Sequence, residues 1–168
     1  MPKNLEIERK FLIAMPDEGE LARQDGARCD EILQTYLLSQ DGVTARVRAR
    51  RGEGGIVYTA TEKRRLSDLT AVEDEREVTE EEYRALLLRR DGALTPIEKR
   101  RYAIPYGGHT LEIDVYPFWQ RQAVLEVELP SEDTPLTLPP FIRVIREVSG
   151  DRRYKNVSLA RSIPAEDE

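Results

Sequence analysis

Residues 5–13 read LEIERKFLI, and in this stretch Glu6, Glu8 and Lys10 occupy every second position beside Leu5, Ile7 and Phe11. Side chains of a β-strand point alternately to its two faces, so this spacing sets three ionisable groups on one face and most of the apolar ones on the other. A helix would scatter them around its axis. A strand with one solvated face shows the same alternation, and the remainder of the chain has to separate the two cases.

The alternation returns with changing sign. In TARVRAR, Arg46, Arg48 and Arg50 share one face while Ala45, Val47 and Ala49 share the other, and IVYTATEK ends its polar face on Lys63. AVEDEREV sets Glu73, Glu75 and Glu77 two apart, and PIEKRRYAIPY places Lys99 with Arg101. LEIDV pairs Glu112 with Asp114, and LEVEL pairs Glu126 with Glu128. SQDG, GEGG and GGHT read as turns between these segments, and RRLSDLT reads as a mobile polar loop. TEEEYRALLLRRDG predicts a helix in which Thr79 and Glu82 form a capping box, Leu86 and Leu87 supply an apolar side and Gly92 marks the end. PPFIRVIREVSG reads as a helix opened by proline and closed by glycine, DRRYKNVSLA as a shorter helical piece, and PAEDE as a frayed tail. Sequential hairpins with few helices and no Pro/Gly/Ser-rich linker predict one α+β domain, 1–168, built on an antiparallel sheet.

The 168 residues suffice for a real core without disulfide or metal staples. A net charge of −6 argues against non-specific nucleic-acid binding through a wholly basic surface. No apolar run approaches membrane-spanning length, and the charged N-terminal stretch lacks the apolar region of a signal peptide, so the expected setting is the cytoplasm, without membrane association. The single cysteine, Cys29, has no partner for an intramolecular disulfide and reads as a small core residue in a reducing compartment. The single histidine, His109, excludes multi-histidine metal sites and lies in a turn-like segment. Neither GxxxxGK[ST] nor GxGxxG is present, so any bound phosphate is held by other groups.

A merely solvated surface mixes its signs, whereas here sign is largely segregated by strand. Like charges two residues apart on one strand repel, increasingly so where water is scarce, and these rows need counter-charges. A sheet closed into a barrel with charged faces inward would bring acidic and basic strands around one cavity and leave apolar faces outward to pack against helices. Paired carboxylates are hard oxygen ligands suited to Mg²⁺ or Mn²⁺, and facing arginines and lysines grip phosphate oxygens. The number of such groups favours a metal-bound tri- or polyphosphate over a single phosphate.

The ordered series ExExK, RVR, EK, ExE, KRRY, LEIDV, LEVEL and YKNVSLA, from Leu5 to Ala160, resembles the CYTH superfamily of triphosphate tunnel metalloenzymes, especially its short bacterial members. The resemblance implies an eight-stranded antiparallel β-barrel with a few helices packed outside and a charged tunnel within. It implies that Glu6 and Glu8 bind metal and that Lys10 contacts phosphate beside Arg46, Arg48, Lys63, Lys99, Arg101 and Lys155. Glu75, Glu77, Glu112, Asp114, Glu126 and Glu128 are the further metal-ligand candidates it implies, with Glu6, Glu8, Lys10 and Lys63 as the catalytic set. At least one acidic pair is expected to be only a structural salt bridge, and the inward placement of Glu73 and Arg50 is left open. Ala71 and Val72 stand where related sequences often carry an arginine.

The implied activity is metal-dependent hydrolysis of inorganic triphosphate to pyrophosphate and phosphate by a monomer or homodimer. Alternatives are a class IV adenylate cyclase, hydrolysis of ATP or of thiamine triphosphate with Trp119 stacking on the organic ring, and a module that binds polyphosphate without cleaving it. A scaffold whose inward charges simply pair is a further reading.

Overall fold

The alternating segments form nine antiparallel strands in the computed structural model, which describes residues 4–167. They are β1 (Leu5–Ala14), β2 (Arg28–Leu37), β3 (Thr44–Gly52), β4 (Gly55–Arg65), β5 (Thr70–Val78), β6 (Ile97–Tyr106), β7 (His109–Val115), β8 (Gln122–Glu128) and β9 (Val144–Glu147). Neighbours run β5-β4-β3-β2-β6-β7-β8-β1, and β1 returns to β5 through Leu5↔Val72 and Ile7↔Thr70, which closes an eight-stranded barrel. The same edge of β1 then accepts β9, with Phe11 opposite Glu147. Closure therefore uses only the first half of β1, and the second half is covered from the C-terminal side. Gly107 and Gly108 make the tight β6–β7 turn at φ of 59° and 84°, left-handed conformations that favour glycine at both positions.

The apolar faces sort into three clusters. Phe11, Ile13, Tyr102, Ile104, Leu111, Ile113, Leu125 and Val127 form the largest, on the outer side of β1, β6, β7 and β8. It is covered by Leu21 of α1 (Glu18–Ala22) and by Leu136, Leu138, Phe141 and Ile142 of the connection between β8 and β9. On the opposite flank Val47, Tyr58 and Ala60 pack under Tyr83, Leu86 and Leu87 of α2 (Glu80–Leu87). The third cluster lies within the barrel: Leu12, Tyr36, Ile97 and Val124 meet Tyr116, Trp119, Tyr154 and Leu159 and fill one end. The C-terminal α3 (Asn156–Leu159) contributes to this plug.

Several local expectations are corrected. PPFIRVIREVSG forms the short strand β9, because the free edge of β1 takes its backbone groups. RRLSDLT is a tight connection: the N–H groups of Leu66 and Ser67 donate to the Thr70 carbonyl, and Ser67 and Thr70 both reach Glu132. α2 ends at Leu87, five residues before Gly92, and only half of its capping box forms, since Thr79 accepts from Glu82 N–H at 3.1 Å while the Glu82 carboxylate takes Arg76. Cys29 is exposed.

The tail is also pinned as far as Asp167 where fraying was expected, while Glu168 lies outside the described residues. Trp119 Nε1 donates to the Pro164 carbonyl at 3.0 Å, Gln120 N–H to Glu166 at 2.8 Å, and Arg146 Nε to Asp167 at 2.9 Å. Deletion of residues 164–168 is expected to cost about 2–3 kcal/mol, since each net hydrogen bond is worth roughly 1 kcal/mol, and to lower the Tm by roughly 5–10 °C. Thermal unfolding of the truncated chain checks this, and an unchanged midpoint would show the strap to be idle.

Candidate active site

Strand parity decides what enters the barrel. Glu8 stands opposite Glu128 and Lys10 opposite Glu126, Arg46 is opposite Thr61, and Lys63 faces Glu73 across the β4–β5 pair. These inward positions surround a cavity of about 670 Å³, lined by seven carboxylates and eight cationic side chains. In the barrel order β3 lies four strands from β8, and β4 four strands from β7. The carboxylates of Glu112, Glu126 and Glu128 therefore face Arg46, Arg48, Arg50, Lys63 and Arg65 across the interior, while Glu6 and Glu8 on β1 and Glu73 and Glu75 on β5 stand on the strands between β8 and β4.

Several of these charges meet a definite partner. Lys63 Nζ lies 3.2 Å from Glu6 and 3.8 Å from Glu73, Lys10 Nζ lies 3.4 Å from Glu126, and Arg46 lies 3.8 Å from Glu73. Thr61 donates its hydroxyl to Glu75 at 2.9 Å. Arg48 directs two N–H groups at the amide oxygen of the fully buried Gln34, at 3.1 and 2.7 Å, and Gln34 donates to the Tyr36 hydroxyl at 2.6 Å. Burial, reinforced by Arg46 and Arg101, pulls the Arg48 guanidinium down to about 9. Burial and the adjacent Glu126 push the Glu8 carboxyl well above the usual carboxylate range. Burial would also raise Glu6, but the charge of Lys63 and a hydrogen bond from Glu8 bring it below its ordinary value. Glu126 is held well below the carboxylate range by Lys10 and Arg101, which outweigh its burial. Lys155, partly buried and near Arg65 and Arg152, is lowered to about 8 and has no salt-bridge partner among the described residues.

Of the residues singled out from the sequence, Glu6, Glu8, Lys10, Arg46, Arg48, Lys63, Glu75, Arg101, Glu112, Glu126, Glu128 and Lys155 line the cavity. Glu73 and Arg50, left open above, line it as well, the latter paired to Asp30 at 2.5 Å. Three others do not. Glu77 is exposed on β5, beyond the cavity. Asp114 is wholly buried beneath it, where Arg101 grips both carboxylate oxygens at 2.8 and 2.9 Å and Lys99 Nζ approaches to 2.8 Å. Asp114 is thus a structural salt bridge, and Lys99, whose side chain is completely inaccessible, is sealed off from the cavity. Trp119 is 3 % exposed within the apolar plug and offers no stacking face.

Tyr36, Arg65 and Asn156 also line the cavity and were not picked out. Arg65 carried a signal, since it follows Lys63 at the same period of two; Tyr36 and Asn156 carried none beyond their parity or place in YKNVSLA. Among the described residues no three His, Cys, Asp or Glu side chains are gathered so as to hold a metal ion. The acidic wall is instead turned toward Lys10 and Lys63.

The chain is thus a closed antiparallel β-barrel with a densely charged interior. The CYTH domain model matches residues 4–161, and the chain belongs to that family. It is 34% identical to the inorganic triphosphatase of Nitrosomonas europaea over 163 residues, covering 95% of this chain and 99% of the relative. It is 29% identical over 158 residues to the inorganic triphosphatase of Acetivibrio thermocellus, covering 94% of each. A crystal structure of an inorganic triphosphatase superposes with a TM-score of 0.59 at 31% identity, covering 95% of this chain and 97% of that one. A Pyrococcus horikoshii structure at 21% identity, with a TM-score of 0.58 over 76% of this chain and 80% of its own, shares the fold.

The sealed Asp114 pair yields a stability test. Removing one partner of a buried ion pair strands the other, so Asp114→Asn is expected to cost about 3–5 kcal/mol, whereas Lys99→Met, which replaces a charge by an apolar chain of similar length, is near neutral. Burial, together with the charges of Arg101 and Arg48, pulls Lys99 from 10.5 down to about 7 against the attraction of Asp114. The folded state therefore binds fewer protons than the unfolded chain between about pH 7 and 10.5, and Lys99 makes stability rise with pH across that window. Denaturant unfolding at pH 6.5 and 9.5 should show the rise in the natural chain and less of it in Lys99→Met; equal slopes would mean that Lys99 stays charged.

Proposed function

We propose that this protein hydrolyses inorganic triphosphate to pyrophosphate and phosphate, with Mg²⁺ or Mn²⁺ as cofactor. The observation that carries the reading is the opposition of acidic and basic walls across one cavity. An anion alone would be repelled by one wall and a cation alone by the other, whereas a polyanion bound together with a divalent cation satisfies both. The family membership and the named activity of the two relatives support the same substrate.

The residues fit such an ion. Glu6 Oε2 and Glu126 Oε1 are buried and, among the described residues, meet only the ammonium groups of Lys63 and Lys10 at 3.2 and 3.4 Å without a well-aligned hydrogen bond, and Glu8, pushed upward by burial and Glu126, gains from any added positive charge. Carboxylate oxygens of this kind suit Mg²⁺ and Mn²⁺, and Glu6, Glu8 and Glu126, with Glu112 and Glu128 beside them, would hold one by turning together from Lys10 and Lys63, since no three of them are gathered as they stand. The chemistry such an ion supplies is neutralisation of phosphoryl oxygens and polarisation of the attacking water.

The chain's own groups do the rest. Arg46 offers a planar fork to phosphoryl oxygens, and Arg48, fixed through Nε and one terminal N–H on Gln34, offers its remaining N–H groups. Lys10 and Lys63, each within 3.4 Å of a carboxylate, would stand between the acidic wall and the substrate. Charge that builds on the leaving pyrophosphate as the phosphorus–oxygen bond breaks is met by these cations, so catalysis is placement and electrostatics, without a covalent enzyme intermediate. Tyr36 is the one aromatic side chain among the lining residues, which leaves an organic triphosphate little to stack on.

Purified protein is expected to release phosphate from tripolyphosphate with Mg²⁺ or Mn²⁺ and to lose this with chelator; a screen including ATP, thiamine triphosphate and longer polyphosphates ranks the substrates. Glu6→Gln and Glu8→Gln should each lower kcat by about 100-fold or more and weaken Mn²⁺ binding followed by electron paramagnetic resonance, with unchanged circular dichroism. Tight triphosphate binding without turnover would make the protein a binding module, and near-normal rates in both variants would take these glutamates out of the metal site.

A further inference from the structure

The C-terminal segment enters the cavity lining through Lys155, Asn156 and Val157, directly after Tyr154 of the apolar plug. The carbonyl of Tyr154 accepts a hydrogen bond from Lys10 Nζ at 3.2 Å, Lys155 contributes a cation without a salt-bridge partner among the described residues, and Asn156 stands next to it in the lining. Asn156 is held in an unusual way. The hydroxyl of Tyr116, a residue only 1 % exposed, donates to Asn156 Oδ1 at 2.6 Å. Burial, with Asp114 and Glu126 nearby, pushes the Tyr116 phenol well above its ordinary value and keeps its proton in place to donate.

A carboxamide has one acceptor and one donor end. With Oδ1 fixed on Tyr116, the Asn156 Nδ2 is the end left over. It has no acceptor within the protein among the described residues, although the side chain lines the cavity. An N–H donor so oriented, beside two lysines, suits a phosphoryl oxygen: it adds a directed hydrogen bond without adding charge to a cavity whose charges are already matched.

We propose that Asn156 is a substrate-binding residue that donates its amide N–H to a phosphoryl oxygen of the triphosphate beside Lys10 and Lys155, and that Tyr116 is the positioning residue that sets the amide's orientation. This rests on the triphosphate reading above.

The test is a double-mutant cycle on tripolyphosphate hydrolysis, with thermal unfolding of every variant. Asn156→Leu should raise KM by about tenfold, the usual scale of one lost hydrogen bond to a charged oxygen, and Tyr116→Phe should raise it by about threefold by freeing the amide to turn. The double variant should match Asn156→Leu within about twofold, because Tyr116 acts through Asn156. Asn156→Asp keeps the acceptor for Tyr116 and so should keep the melting temperature while still raising KM. A purely structural role predicts the reverse, lower melting temperatures in Asn156→Leu and Tyr116→Phe with KM unchanged throughout. An active natural protein with unaltered KM in Asn156→Leu and Asn156→Asp, or independent effects in the cycle, overturns this inference alone. A natural protein that neither cleaves nor binds tripolyphosphate overturns the substrate reading with it.

Discussion

Charge compensation inside a closed sheet is the constraint on which this structure depends. A barrel interior offers little water, so every inward carboxylate or ammonium needs an opposite charge or a directed hydrogen bond. The requirement is met most fully at Asp114, where Arg101 and Lys99 saturate one carboxylate. It is met less fully toward the cavity, where Lys10, Lys63 and Arg46 stand 3.2 to 3.8 Å from their acids. Tight pairing below and looser pairing above divide the inward charges into those that hold the barrel and those with valence left for a ligand.

The C-terminal segment ties this division to the fold. Val148 N–H donates to the Lys10 carbonyl at 2.8 Å, Lys10 N–H to Ser149 Oγ at 2.9 Å, and Lys10 Nζ to the Tyr154 carbonyl at 3.2 Å. One lysine of the opening motif is thus fixed through both its backbone and its side chain by residues about 140 positions later. The same segment seals one end of the barrel with Tyr154 and Leu159 and supplies Lys155 and Asn156 to the lining. Closing the core and finishing the site are a single structural event, and the pinned tail follows from it.

Much of this was legible in the chain because a strand has a period of two. Once LEIERKFLI, TARVRAR, LEIDV and LEVEL are strands, the inward set follows from parity alone, and segregation of sign implies that opposite rows must meet. That is why Glu6, Glu8, Lys10, Arg46, Arg48, Lys63, Glu126 and Glu128 could be named from the sequence and found around one cavity. Parity says which face a side chain takes; depth along the barrel and the partner across it lie outside its reach. Lys99 and Asp114 share parity with Arg101 and Glu112 but sit where the interior is packed solid, and Glu77 lies past the other limit. The proline and glycine punctuation of 139–150 suits a helix, but the open edge of β1 overrides that local preference and draws Val144–Glu147 into a strand. The sequence by itself determined the strands, their inward faces and the alternation of sign, since these need only neighbouring residues. Only the tertiary structure decided which charges are buried as mutual partners, which remain for a ligand, and how Tyr116 orients Asn156, because those depend on contacts between strands far apart in the chain.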